Sequence, residues 1–152
     1  MRFVQTEIDI DAPRDVVYAV LVDFEKYPQW GSFIRAIDGA PEVGREITEH
    51  LYFRFLPFRV LGKSFVERTD PGVNFTWRGS FVHSFHRLGN GTHSFALEEN
   101  AVDCTRLIHR EEYRGALVPL TFALIRRIAE PHFRIMDKEL KRRAERIHAA
   151  SR

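Results

Sequence analysis

The chain has 152 residues, which is the length of one domain, so we expect residues 1–152 to form a single ligand-binding domain. Its 23 Lys and Arg nearly balance its 21 Asp and Glu, and the net charge of +2 gives no overall indication of nucleic acid binding. The one cysteine, Cys104, excludes an internal disulfide and fits a reducing compartment. No apolar run has the length of a transmembrane segment, and the N-terminus lacks a signal-peptide core, so we expect a cytoplasmic protein.

The first forty residues predict a strand, two short helices and a second strand. Alternating apolar side chains indicate a strand over residues 3–10, and Asp11-Ala12-Pro13 is typical of the start of a helix. A shorter helical turn over residues 24–27 is predicted to end at Pro28, because proline cannot continue a helix from its interior. Residues 33–37 predict the second strand.

The middle of the chain predicts further strands, separated by turns that contain Gly, Pro and Asp. The strands bounded in this way are residues 45–55, 58–68 and 73–79. Residues 81–91 predict a loop, and residues 92–99 and 105–114 predict a hairpin. Strands at hairpin spacing favour an antiparallel sheet, which commonly has one dry face and one wet face.

The last part of the chain, residues 115–150, predicts one long helix. Its apolar residues are spaced three and four apart, which is the helical repeat, and basic residues collect in its last turns. At about 1.5 Å per residue the helix spans the whole molecule, and we expect a kink at Pro131. Its first turns are too apolar to lie in water. We therefore predict an α+β fold in which a curved antiparallel β-sheet wraps around one long C-terminal helix, with two short helices after the first strand.

Strand alternation directs several ionisable side chains toward this helix. His109 and Glu111 point inward, because Arg106 and Arg110 mark the other face of their strand as solvent-exposed. Directly opposed side chains lie about 5 Å apart at Cβ, within reach of an imidazole–carboxylate hydrogen bond. The pairs predicted by a turn centred near residue 102 are Leu97 with Leu107, Phe95 with His109, and His93 with Glu111.

A second inward-facing carboxylate is predicted in the strand at residues 45–55. Alternation places Glu49 on the same face as Leu51 and Phe53. Glu49 is interpreted in two ways: it pairs with Lys63, if that side chain also points inward, or it lies near a strand end in solvent.

Short motifs occur through the whole chain in an order that is typical of one superfamily. They are Ile8-x-Ile10-x-Ala12-Pro13, Asp23-x-x-Lys26-Tyr27-Pro28-x-Trp30, Val43-Gly44, Trp77-x-Gly79, Gly91-x-His93-x-Phe95-x-Leu97, Thr105-x-Leu107-x-His109-x-Glu111-x-Tyr113-x-Gly115 and Met136-x-x-x-Leu140-Lys141. In this ordered set the chain resembles the START-related (SRPBCC) superfamily of polyketide cyclases/dehydrases and lipid-binding proteins, which has the helix-grip fold. Because the superfamily includes ligand carriers, cyclases and partner-binding modules, the resemblance implies the fold but does not choose a function.

The inward-facing His93, His109 and Glu111 have three interpretations. They form a hydrogen-bonded set inside a packed core, they orient a ligand at the floor of a cavity, or they act as acid and base on a bound carbonyl. The complete set of candidate ligand-binding residues is His93, Phe95, His109, Glu111, Glu49, Leu51, Phe53, Trp77, Trp30, Phe81, Phe85, Leu124, Ile128 and Met136. The candidates for catalysis are His109, Glu111 and His93.

Aromatic and histidine residues outside the hairpin suggest two further kinds of site. In the fold that the resemblance implies, the segments that carry Trp30, Phe81 and Phe85 flank the cavity mouth, where these residues are gatekeepers for an apolar ligand or ordinary core aromatics. His83 and His86 raise the question of a metal site together with His93, but no acidic or cysteine neighbours complete a ligand set, so no metal and no cofactor are expected.

The leading hypothesis is intracellular binding or transport of a small hydrophobic molecule, lipid-like or polyketide-like, in a cavity between the sheet and the C-terminal helix. One alternative is a cyclase or dehydratase in which His109 or Glu111 moves a proton. A second alternative is an interaction module in which the basic end of the last helix docks a partner or an anionic membrane. Whether the protein is a monomer or a dimer stays open.

Overall fold

The computed structural model describes residues 2–80 and 89–152, apart from the side chain of Ser80. The strands in this part of the chain are β1 (Arg2–Ile10), β2 (Ile34–Asp38), β3 (Glu46–Leu51), β4 (Val60–Asp70), β5 (Asn74–Ser80), β6 (Asn90–Ala101) and β7 (Cys104–Arg114). The helices are α1 (Arg14–Val22), a 3₁₀ turn (Phe24–Lys26), α2 (Tyr27–Trp30) and α3 (Val118–Ala150). This confirms the predicted α+β fold, with two short helices after the first strand and one long helix at the end.

The seven described strands form one antiparallel sheet in the order β1-β7-β6-β5-β4-β3-β2. Each strand pairs with its neighbour in sequence, except that β1 pairs with β7 and so joins the two ends of the strand-rich region. The sheet curls around α3, which packs mainly on β1 and on α1. The result is the helix-grip arrangement, in which the inner face of the sheet is covered by the helix.

The β6–β7 hairpin has the predicted register. His93 lies opposite Glu111, and Phe95 lies opposite His109. The turn between the strands contains Val102 and Asp103, and Asp103 adopts a left-handed conformation with φ of 53°. Aspartate tolerates this conformation better than most residues, which explains how so short a connection closes the hairpin.

Two predicted element boundaries were wrong for local reasons. Pro28 does not end the first helical turn but lies at the start of α2, where a missing backbone N–H costs nothing. The strand predicted to reach residue 55 ends at Leu51, because the backbone then turns, with the Leu56 N–H donating to the Phe53 carbonyl at 3.0 Å. This early end brings the side chain of Phe53 toward α3, where its ring centroid lies 5.2 Å from that of His132.

The core lies between the inner face of the sheet and the helices α1 and α3. Its largest fully buried side chains include Tyr27, Phe75, Phe95, Phe133 and Leu140. Pro131 lies inside α3 without ending it. None of the helices in residues 2–80 and 89–152 combines the length and the apolar character that a membrane crossing requires.

Candidate functional site

A cavity of about 240 Å³ lies between the inner face of the sheet and the first half of α3. Most of its wall is aromatic or aliphatic, with Phe33, Phe53, Trp77, Ile128 and Phe133 among the lining residues. Apolar cavities of about 150 Å³ are known to hold a benzene molecule. This cavity therefore has room for one substituted aromatic ring or an aliphatic group of similar size.

Two carboxyl groups and one imidazole reach this cavity from three strands. Glu49 extends from β3, His93 from β6 and Glu111 from β7. Glu49 and His93 are only 4% and 7% exposed, so their polar groups have little access to solvent. The sequence predicted that His93 and Glu111 point inward and left two positions open for Glu49, on the inner face or in solvent. All three side chains lie on the inner face. The cavity is thus an apolar chamber with a small polar region on its sheet side.

His93 is the first member of a buried line of polar groups that leads away from the cavity. Its Nε2 lies 2.6 Å from Nε2 of His109, and Nδ1 of His109 lies 2.6 Å from Oδ1 of Asp137. The hydroxyl of Thr6 donates to Oδ2 of Asp137, also at 2.6 Å. His109, Asp137 and Thr6 are all buried. The line joins β6, β7, α3 and β1 through side chains alone.

Aromatic rings enclose the two imidazoles on both faces. Trp77 stacks on His93 with ring centroids 4.7 Å apart and an interplanar angle of 19°. Phe133 stacks on His109 at 4.2 Å, also at 19°, and Phe95 covers the other side of His109 at 4.4 Å. These contacts fix the planes of both imidazoles and keep water from their faces, which strengthens hydrogen bonds made in the plane of the rings.

The hydrogen bonds determine where the protons of the two imidazoles lie. The Asp137 carboxylate only accepts hydrogen bonds, so Nδ1 of His109 carries a proton. When His109 is neutral, its Nε2 accepts from the Nε2–H of His93. Nδ1 of His93 is then an acceptor, and it lies 3.8 Å from Oε2 of Glu111. In this arrangement Glu111 is the group that holds a proton at the cavity.

A second arrangement holds the same number of protons. If Glu111 gives its proton to Nδ1 of His93, and His93 gives its Nε2 proton to His109, the result is an imidazolium beside Asp137 and a carboxylate in the cavity. The separation of 3.8 Å between His93 and Glu111 is longer than a hydrogen bond, so this transfer requires a small side-chain movement or a bridging oxygen atom. The two arrangements thus differ only in the position of protons along the line between Glu111 and His109.

The electrostatic environment brings the pKa of Glu111 close to neutral pH and makes His93 a weak proton acceptor. Burial raises the pKa of Glu111 from 4.5 to about 7; the Tyr113 hydroxyl, which donates to Oε2 at 2.8 Å, opposes this rise, and the nearby Glu49 adds to it. Burial also lowers the pKa of His93 well below 6.5, and repulsion from His109 adds to the effect. At neutral pH, His93 is therefore uncharged and Glu111 exchanges between acid and carboxylate.

Glu49 has a different partner from the one considered in the sequence. The Ser64 hydroxyl donates to Oε1 of Glu49 at 2.7 Å, whereas Nζ of Lys63 lies 3.6 Å from Oε1 of Glu46. Because Ser64 is buried on the inner face of β4, its neighbour Lys63 extends to the outer face, and the Glu49–Lys63 pair is not formed. Burial raises the pKa of Glu49, and the hydrogen bond from Ser64 partly offsets the rise.

The other residues proposed from the sequence lie in several places. Leu51, Phe53, Trp77 and Ile128 line the cavity together with Glu49, His93 and Glu111. Phe95, His109 and Met136 are buried behind the lining. Leu124 is 62% exposed on the outside of α3, and Trp30 lines a separate groove between α1 and the end of α3. Phe81 and Phe85 lie outside the described residues, as do His83 and His86.

Four side chains of this site were not singled out in the sequence: Thr6, Ser64, Tyr113 and Asp137. Asp137 carried the clearest signal, because it follows Phe133 by four residues and precedes Leu140 by three on the buried stripe of α3. A carboxylate on an apolar stripe needs a buried partner. Within residues 2–80 and 89–152, no three His, Cys, Asp or Glu side chains are grouped as metal ligands would be.

Comparison with known proteins relates this fold to aromatase/cyclases and START proteins. A Streptomyces aromatase/cyclase named Zhui has a TM-score of 0.76 at 16% identity, over 95% of this chain and 94% of the other. A START superfamily protein from Mycobacterium smegmatis has a TM-score of 0.75 at 16% identity, over 95% and 98%. Norcoclaurine synthase from Thalictrum flavum, in complex with dopamine and hydroxybenzaldehyde, has a TM-score of 0.69 at 11% identity, over 93% and 84%. At these identities the likeness shows the fold alone.

No curated protein sequence is significantly similar to this chain. The sequence profile of one family, described as polyketide cyclase / dehydrase and lipid transport, matches residues 1–147. The match covers nearly the whole chain and includes every strand and helix that forms the cavity. The chain therefore belongs to the polyketide cyclase/dehydrase and lipid transport family.

Proposed function

We propose that the protein binds a small, mainly apolar molecule in the cavity between the sheet and α3, and carries it inside the cell. The observation behind this proposal is the chamber of about 240 Å³, whose wall is mostly apolar and whose polar groups converge on one side. Burial of apolar surface, at about 25 cal/mol per Å², would supply most of the binding energy. Glu49, His93 and Glu111 would orient the polar end of the ligand.

Native mass spectrometry of the protein taken directly from cells tests this proposal. A bound molecule should increase the mass of the folded protein, and solvent extraction should release it for identification. Uptake of an apolar fluorescent dye, displaced by the extract, would show that the molecule occupies the same cavity. A protein that is always empty and takes up no apolar dye would contradict the proposal.

A second candidate function is that of a cyclase or dehydratase. It is supported by the pKa of about 7 at Glu111, which suits an acid or base at neutral pH, and by the buried line that can accept its proton. Glu111 would take a proton from a carbon next to a carbonyl, or donate one to a departing hydroxyl. His93 and His109 would receive or return that proton, and Asp137 would stabilise the imidazolium.

The enzyme hypothesis has its own test on polyketide-like substrates. It predicts a bell-shaped pH dependence of kcat/KM and loss of turnover in Glu111→Gln and His109→Ala variants. Glu112→Gln is a matched control, because Glu112 is on the same strand but pairs with Arg110 at 2.9 Å on the outer face. Turnover that survives both inner-face changes would exclude proton transfer through this line.

A further inference from the structure

Among the described residues, the polar region of the cavity contains two carboxyl groups and no facing cation. Glu49 and Glu111 both line the cavity, and each is close enough to the other for Glu49 to raise the pKa of Glu111. Among the described lining residues the one basic side chain besides His93 is Lys63. Its ammonium group lies 3.6 Å from Glu46, and the side chain is 47% exposed, so it is directed to the outer face.

In residues 2–80 and 89–152, the groups that face the two carboxyls from the neighbouring elements supply no compensating charge. His93, opposite Glu111 on β6, is kept neutral by burial, which lowers its pKa. Tyr113 donates a neutral hydrogen bond to Glu111, and Ser64 donates one to Glu49. Tyr27, which is buried near Glu49, has its pKa raised by burial and by that carboxyl and so stays neutral. His109 and Asp137 lie behind His93 and pair with each other.

One oxygen of Glu49 is left without a hydrogen bond. Oε1 accepts from Ser64, but Oε2 is buried and has no hydrogen-bond partner in residues 2–80 and 89–152. The nearby Trp77 indole lowers the pKa of Glu49 and so favours its carboxylate form. The indole does not, however, form a hydrogen bond of normal geometry with Oε2. A buried acceptor without a donor is costly, so this atom indicates where a donor from a ligand would bind.

We propose, on the basis of the binding function proposed above, that the ligand of this cavity carries a protonated amine, which donates hydrogen bonds to the carboxyl groups of Glu49 and Glu111. An ammonium group has several donors and no acceptor, and it would satisfy Oε2 of Glu49 while its single positive charge offsets one of the two negative charges. The aromatic wall suits the same group, because the faces of Trp77 and Tyr113 attract cations. The proposed ligand class is thus small aromatic or aliphatic amines.

Matched pairs of molecules test the charge without changing the shape. Tryptamine carries an ammonium group where tryptophol carries a hydroxyl, and phenethylamine differs from phenethyl alcohol in the same way. The dissociation constants of both pairs would be measured by isothermal titration calorimetry at pH 7. We expect each amine to bind about 10- to 100-fold more tightly than its alcohol, which is the range of a charge-assisted hydrogen bond.

Two variants assign the preference to the carboxyls. Glu49→Gln and Glu111→Gln should each reduce the preference for the amine by about tenfold and leave the affinity for the alcohol nearly unchanged. Glu46→Gln and Glu112→Gln are matched controls, because they remove the same charge from the outer faces of the same strands. They should leave the preference for the amine unchanged.

A proton count gives a readout that is independent of affinity. An ammonium beside Glu111 favours its carboxylate form, so amine binding near pH 7 should release protons from the protein, whereas alcohol binding should not. Titrations in buffers of different ionisation enthalpy measure this release. Equal binding of amine and alcohol, with no proton release, would overturn the inference but leave the proposed binding function intact. If neither member of either pair binds and the cavity takes up no apolar dye, both proposals fail.

Discussion

His93 and His109 are joined directly through their Nε2 atoms, which lie 2.6 Å apart inside the core. One of these two nitrogens must donate and the other accept, so a single proton lies between the rings. Because Asp137 accepts from the opposite nitrogen of His109, the protonation of the buried rings is linked to that of Glu111 in the cavity. Hydrogen bonds therefore connect His93, at the cavity wall, to Asp137 on α3.

The first prediction concerns the buried end of this line. Asp137→Asn keeps the shape of the side chain but replaces one carboxylate oxygen with an NH₂ group. That NH₂ group must face either His109 or Thr6, and each of these residues already directs a proton at residue 137. We expect the free energy of unfolding to fall by about 1–3 kcal/mol, the cost of a buried unsatisfied group. Urea denaturation followed by circular dichroism measures it. The exposed Glu25→Gln is the control, and a loss as small as the control's would contradict this account.

The second prediction concerns the pH dependence of stability. Glu111 has a pKa of about 7 in the folded protein against 4.5 for the free side chain, so the folded state binds the proton more tightly. Stability should therefore fall as the pH rises from 4.5 to 7, by at most about 3 kcal/mol from this residue. Glu49 contributes in the same direction, because its pKa is also raised. Glu111→Gln should flatten the profile.

Denaturant titrations at several pH values check this dependence. Glu112→Gln should retain the slope of the unmodified protein, since Glu112 pairs with Arg110 on the outer face. A slope that is the same in the Glu111→Gln variant would show that another group is responsible.

The third prediction concerns the space in the cavity. Ala129 lines the cavity from α3, so Ala129→Leu should fill part of it and weaken binding of an apolar dye by at least about tenfold. Ala123→Leu is the matched control, because Ala123 is exposed on the same helix. Fluorescence titration measures dye binding, and circular dichroism confirms folding. Equal dye binding by both variants would show that the dye occupies another site.

The fourth prediction uses the two tryptophans of the chain as reporters. Trp77 lines the cavity and stacks on His93, whereas Trp30 lines a separate groove. In a Trp30→Phe variant the remaining emission comes from Trp77, and an apolar ligand should change its intensity and wavelength. In a Trp77→Phe variant the same ligand should have little effect. The opposite result would place the ligand in the groove beside Trp30.

Part of the sheet side of the site was predictable from the sequence alone. Alternation in β6 and β7, together with a short turn, determines which side chains face inward and which pairs are opposite, so the pairing of His93 with Glu111 was predictable. For Glu49 the alternation of its strand indicated an inner face, but a position in solvent near a strand end was left equally open; the side chain is buried. The hydrogen-bond partner of Glu49, Ser64, was not predicted. The alternation of β4 is unclear in the sequence, and Lys63 is a more obvious match for a carboxylate than Ser64.

The helix side of the site could not be obtained in the same way. Asp137 is 28 residues from His109 in the chain and 131 from Thr6, and no local rule fixes how α3 is rotated against the sheet. The volume of the cavity depends on how the side chains of two distant elements interdigitate, which is a property of packing rather than of pattern. Periodicity predicts that a helix has a buried face but not what that face contacts.

The uneven burial of α3 has a consequence for how a guest molecule could enter. Within α3, all of which the structure describes, no side chain from Pro119 to Ile128 is buried, whereas the stretch from Ala129 to Ala144 contains seven that are. Pro131 lies near this boundary and lacks the N–H that would bond to the Arg127 carbonyl. We expect the first turns to detach and reclose at a much lower free energy than global unfolding requires, and hydrogen exchange should record faster labelling there than beyond Phe133. Such local opening would admit a guest while the rest of the domain stayed folded.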